Sequence, residues 1–243
     1  MRPLLLSLLL LIGLSARAQF AQQAYVDIGA NNASRGVFGK IGLISSYQYQ
    51  FLEATTGLQW TFPVRNGNGL ASWFINGKGD FHIKKAKFEG GLFYRHIPFS
   101  ELLREHNWGL WLGFNSKHFC MKLGNNFHTY KFTSKGIDEL GLTEDDDIKI
   151  SEPRNLMYDF RFYIKPFDYK WNVIIVLTDY DHFLIQQETN PMVMCSYKHR
   201  ILEKEKWDLE IYDELWYQSS GLLNLQVNYY GIHNRLGVQW KLK

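Results

Sequence analysis

The sequence predicts an all-β fold: an antiparallel up-and-down β-barrel of about twelve strands that crosses a membrane. Three observations predict it. Apolar and polar residues alternate over segment after segment, the links between segments alternate between short and long, and tryptophan gathers near segment ends. The composition agrees, with 14 Tyr, 17 Phe, 8 Trp and 20 Gly against 6 Pro in 243 residues. Such aromatic content excludes a disordered chain. Beyond Leu14 no apolar run approaches the roughly 20 residues that a spanning helix needs, so any crossing must be made by strands.

Residues 1–18 read as a cleaved secretory signal, with Arg2 as the positive start, Leu4 to Leu14 as the apolar stretch and Ala16-Arg17-Ala18 as the small-x-small cleavage site. The mature domain is expected to run from 19 to 243. Removing Arg2 and Arg17 from the 27 basic residues leaves 25 against 24 acidic ones, close to neutrality. No basic stripe of the kind that binds nucleic acid remains, so no nucleic-acid partner is expected. Cys120 and Cys195 form no CxxC or zinc spacing and no disulfide framework, and no metal or cofactor is expected.

The alternation is explicit from residue 52. Leu52, Ala54, Thr56, Leu58, Trp60 and Phe62 share one face, and Glu53, Thr55, Gly57, Gln59 and Thr61 the other. Trp73, Ile75, Phe81 and Ile83 oppose Ser72, Asn76, Lys78, Asp80 and His82. The same holds for Trp108, Leu110, Leu112 and Phe114, for Tyr158, Phe160, Phe162 and Ile164, and for Trp207, Leu209, Ile211, Leu215 and Tyr217, with Asp213 the exception on that last apolar face. A period of two puts successive side chains on opposite sides of a sheet. The strands read as 22–31, 35–46, 49–62, 69–81, 86–98, 107–117, 120–132, 154–165, 170–182, 191–203, 206–217 and 229–242, with ten strands the alternative.

Links after even-numbered strands are tight, at 83–85, 118–119, 166–168 and 204–205. Those after odd-numbered strands are longer, and the longest runs from Thr133 to Pro153. Short turns on one side and long external loops on the other are what a transmembrane barrel shows. Trp171, Trp207 and Trp240 are expected at the inner rim and Trp60, Trp73, Trp108 and Trp216 at the outer one, as in interfacial girdles, with Trp111 fitting less well.

The last segment, Arg235-Leu236-Gly237-Val238-Gln239-Trp240-Lys241-Leu242, resembles the C-terminal insertion signal of Gram-negative outer-membrane β-barrel proteins, although Trp240 stands three residues from the end. Its signal residues are Arg235, Gly237, Trp240 and Leu242. The resemblance implies a small porin-like barrel in the cell outer membrane, surrounded by lipid and lipopolysaccharide and inserted by the barrel assembly machinery.

The predicted register turns Lys40, Lys78, Lys87, Arg95, Lys122, Arg161, Lys165, Lys198, Arg200, Arg235 and Lys241 inward, together with Asp27, Glu53, Asp80, Glu89, Asp159, Asp208, Glu210 and Glu214. Twelve strands lie between the filled eight-stranded barrel and the open sixteen-stranded porin. The leading functional expectation is therefore a passive channel for small polar or anionic solutes. A closed barrel serving as a subunit beside another outer-membrane protein is the alternative. No enzyme is expected: a lipid-modifying hydrolase is the remote third reading, with His96, Ser100 and Asn107 as the residues to converge. The acidic run Glu144 to Asp147 reads as a solvated loop, since it lacks the EF-hand order, and Asn66 to Gly69 as a turn.

Overall fold

The computed structural model describes residues 18–31, 36–63, 70–83, 86–98, 102–142, 150–180, 192–219 and 230–242. They form twelve strands: β1 (Ala18–Asn31), β2 (Gly36–Tyr49), β3 (Leu52–Pro63), β4 (Leu70–Ile83), β5 (Ala86–Pro98), β6 (Leu103–Asn115), β7 (Phe119–Phe132), β8 (Ile150–Tyr163), β9 (Trp171–Thr178), β10 (Met192–Glu203), β11 (Trp207–Ser219) and β12 (Tyr230–Leu242). Each pairs antiparallel with its neighbour in sequence, and β1 pairs with β12 from Phe20↔Leu242 to Asn31↔Gly231, so the sheet closes on itself. Closure leaves no open edge, the condition for a sheet in a medium without water to satisfy its backbone.

The first hairpin forms in full, from Ala18↔Tyr49 to Asn31↔Gly36, which settles the count at twelve rather than ten. Most strand ends shift by one to three residues from the sequence reading, and four shift by four: β1 starts at Ala18 rather than 22, and β6, β8 and β9 differ as follows. β6 starts at Leu103, earlier than 107, because Arg104 and His106 continue the outward alternation opposite β7. β9 stops at Thr178 instead of 182. The long external connection contains a helix, α1 (Ser134–Leu140), capped by the Thr133 hydroxyl accepting from Gly136 N at 3.1 Å and ended by Gly141 at φ 65°, and β8 begins at Ile150. Residues 1–17, the Asn66–Gly69 turn, Ser100 and the acidic run 144–147 lie outside the described residues.

The solvation pattern is inverted. Val26, Ile28, Leu58, Ile75, Leu92, Leu110, Leu112, Phe162, Leu215 and Leu236 point outward and are exposed, while Asp27, Arg95, Glu105, Asn107, Asn126, Asp159 and Glu210 point inward and are buried. Exposed apolar area on this scale costs about 25 cal/mol per Å² in water, and hydrocarbon around the barrel removes that cost. Trp60, Trp73, Trp108 and Trp240 face outward as expected. Trp216 does not belong to the girdle: its register with His233 turns it into the lumen, where the two rings stack at 5.6 Å. Trp111 also points inward and is buried.

Candidate functional site

Inward residues on the half of the barrel next to the short turns form two ion-pair lattices. In the first, Lys78 Nζ lies 3.0 Å from Glu53 and 3.5 Å from Glu89, and Glu89 meets Lys122 at 3.3 Å. Glu89 and Lys122 reach each other across Gly113, their common register partner on β6, which has no side chain to separate them. Lys87 pairs with Asp80 at 2.8 Å. Arg161 grips Asp159 with two bonds, Nε at 2.7 Å and a terminal nitrogen at 3.1 Å. Glu210 centres the second lattice, with Lys241 at 2.8 Å, Lys198 at 3.2 Å and Arg200 at 3.3 Å. Arg200 also approaches Asp208 at 3.9 Å.

The two signs sit at different depths. Arg161 is 39% exposed and its partner Asp159 3%, while Lys241 is 33% exposed and Glu210 1%. Lys122, its Nζ 4.4 Å from the Trp111 ring centre, is 25% exposed while Glu89 is at 3%. In these pairs the carboxylate lies against the sheet and the long cationic side chain reaches over it; Glu53, at 24% against 21% for Lys78, is the exception. Near-equal numbers of charges thus present a cationic face to the bore.

The half next to the long loops is packed instead. Arg95 is fully buried, with its guanidinium 5.3 Å from the Phe93 ring centre and 4.9 Å from that of Tyr180. His128 Nδ1 lies 2.6 Å from Glu105, Asn107 donates to the same carboxylate oxygen at 3.2 Å, and Asn126 Oδ1 lies 3.1 Å from His128 Nε2. Arg235 meets Asp27 across the β1–β12 seam at 3.2 Å and Glu214 on β11 at 3.6 Å, and lies over the Tyr25 and Trp216 rings. Trp216 donates its indole N–H to Glu214 at 3.0 Å. Phe74, Met157, Val176, Met192 and Met194 fill space among these groups.

The structure therefore places Lys78, Lys87, Arg161, Lys198, Arg200 and Glu210 in the accessible half and Arg95, Glu214 and Arg235 in the packed half. Sequence reading missed the Glu105–Asn107–Asn126–His128 quartet. Its signal was available, since Glu105 and Asn107 share one face of β6 and Asn126 and His128 one face of β7, in register as Asn107↔His128. His96 and Asn107 do not converge: His96 points outward beside Trp73 and His106, and Asn107 inward. Cys120 is buried and Cys195 exposed on the outer face; both are free. Among the described residues no cluster of His, Cys, Asp and Glu is arranged to hold a metal ion.

Closed strand order, apolar exterior and charged interior together decide the class. The chain is an outer-membrane β-barrel. No protein-family model and no curated protein matches it. Among solved structures it is similar to the KdgM porin in complex with disordered oligogalacturonate, at 11% identity and a TM-score of 0.49 over 89% of this chain and 97% of that one. It is also similar to the CymD monoaromatic hydrocarbon channel, at 8% identity and TM-score 0.41 over 93% and 88%. Outer membrane phospholipase A from Escherichia coli gives 10% and 0.43 over 91% and 92%.

Proposed function

We propose that the barrel is a small passive channel that favours anionic solutes. The carrying observation is the difference in depth between the two signs: the half-buried Lys87, Lys122, Arg161, Lys198 and Lys241 stand over the more deeply buried Asp80, Glu89, Asp159 and Glu210. A ring of like charge at the bore surface sets which ion enters, and a low-dielectric wall screens such charges weakly. The packed half next to the long loops is the constriction and keeps the conductance small. Purified barrel in a planar bilayer should give discrete small steps with an anion-selective reversal potential in a KCl gradient. Arg161→Gln combined with Lys122→Gln should move that potential toward zero. A bilayer that stays silent with folded protein rejects the channel.

A second reading, a closed barrel serving as a subunit of a larger complex, is favoured by Asp213. It lies at the centre of β11, faces outward in undisturbed register between Tyr197 and Leu236, and accepts from Asn234 Nδ2 at 2.6 Å. A carboxylate at mid-bilayer depth is costly against lipid, and a polar partner would relieve it. Asp213→Leu should then abolish co-purification with that partner, and unchanged co-purification rejects this interface.

A further inference from the structure

Outward side chains of the strands are almost free of permanent charge. Among the strand residues whose side chains are described, Arg104 and Lys131 are the Lys or Arg residues at outward positions. These two are not scattered. Arg104 on β6 and Lys131 on β7 are register partners, directly opposite each other one residue from the ends of their strands, at the rim beside the long loops. Both are exposed, and among the described residues neither has a carboxylate within ion-pair distance. One step further along the same face, His106 pairs with Thr129 and His96 with His106, the two imidazoles 4.9 Å apart. Tyr94 shares its hydroxyl with His106 Nδ1. Below them, toward the hydrocarbon, Trp73 contacts Tyr94 and Trp108 stacks on Phe127 at 4.2 Å.

Like charges directly opposite in a sheet destabilise it, and a partly desolvated rim makes the repulsion stronger than it is in water. An anion between them reverses the sign of that interaction. The aromatic belt fixes the depth, since Trp and Tyr sit at head-group level, which puts Arg104 and Lys131 at or just above the phosphates of the outer leaflet. Arginine offers a planar fork for a phosphate and lysine a mobile point charge; His96 and His106 add shorter donors beside them. We infer that this patch is a binding site for the phosphorylated sugar head group of an outer-leaflet glycolipid, with the acyl chains lying along Trp108, Leu110 and Leu112.

The test is native mass spectrometry of the full folded barrel, delipidated and titrated in detergent with bis-phosphorylated lipid A or with the same lipid after phosphate removal. Wild type should retain the phosphorylated lipid and lose it as salt rises. Arg104→Gln with Lys131→Gln should bind it about tenfold or more weakly, the loss expected when charge-assisted hydrogen bonds to phosphate are removed. The heat-modifiable band checks that the variant is folded, and Arg104→Lys should recover part of the binding. Equal retention by wild type and double variant overturns the inference, as does equal retention of the phosphorylated and dephosphorylated lipids. Inorganic phosphate is the third arm: displacement of lipid A by millimolar phosphate alone would identify a general anion site rather than a lipid site.

Discussion

The two halves of the lumen hold the same kinds of charged group and use them differently. Beside the short turns, Lys87, Arg161 and Lys241 are a third or more exposed and their pairs are in contact with solvent. Beside the long loops, Asp27, Arg95 and Glu105 have no exposure at all. The cause is side-chain volume. Tyr25, Phe74, Phe93, Trp216 and the methionines of β8 and β10 turn inward in the second half, whereas β3 and β4 contribute the register partners Thr55 and Asn76 toward the first. A hydrated pair is worth little because water competes for both partners. A dry one is worth little net, yet is expensive to break, because the survivor remains buried. Selectivity therefore belongs to the accessible half, and rigidity to the packed half.

The largest effect should come from breaking the dry half. Glu105→Ala strips His128 and Asn107 of their shared acceptor and should cost about 3–5 kcal/mol, read from urea unfolding in micelles followed by tryptophan fluorescence. A loss below about 1 kcal/mol, the scale of an ordinary hydrogen bond, would erase the distinction between the halves. Next comes Gly237, where a Cβ would fall 2.1 Å from the Tyr212 ring. Gly237→Ala should cost about 1–3 kcal/mol by overpacking, and Tyr212→Ser in the same chain should recover most of it. Recovery of stability without recovery of insertion would show that Gly237 is also read by the assembly machinery.

A smaller effect is expected at Glu210. Replacing it with Gln leaves Lys198, Arg200 and Lys241 sharing a neutral acceptor in the hydrated half, a loss of about 1 kcal/mol, with stronger anion preference in the bilayer. The smallest is on α1, where Lys135 and Glu139 are 3.9 Å apart and both about half exposed. Lys135→Ala should change stability by less than about 0.5 kcal/mol.

Strand direction and facing were legible because the period of two survives in nearly every segment, and one wrong step would have inverted a whole strand. Which residues form the site was legible only in part. Alternation says that Arg95 and Arg161 both point inward; it does not say that Arg95 lies buried between Phe93 and Tyr180 while Arg161 reaches over Asp159 into the bore, because that depends on how much the rest of the wall fills each level. Trp216 was misassigned for a local reason. Height along the strand placed it at the rim, but its parity, shared with Tyr212 and Glu214, turned it inward. The helix α1 was hidden by its length, since seven residues carry too little periodicity to stand out from a loop.

Asp27 and Arg235 face each other across the only strand pair that joins the two ends of the chain, 208 residues apart. During synthesis the first strand is made with its carboxylate in place and its cationic partner on the last strand still to come. Until β12 arrives, β1 carries a free hydrogen-bonding edge, the feature on which other chains can add as strands. Loop-closure entropy must be met before so distant a contact returns anything. Closure is accordingly a late, single event in the life of this chain, and the span between release of the C-terminus and the meeting of Asp27 with Arg235 is when the protein is most exposed to misassembly.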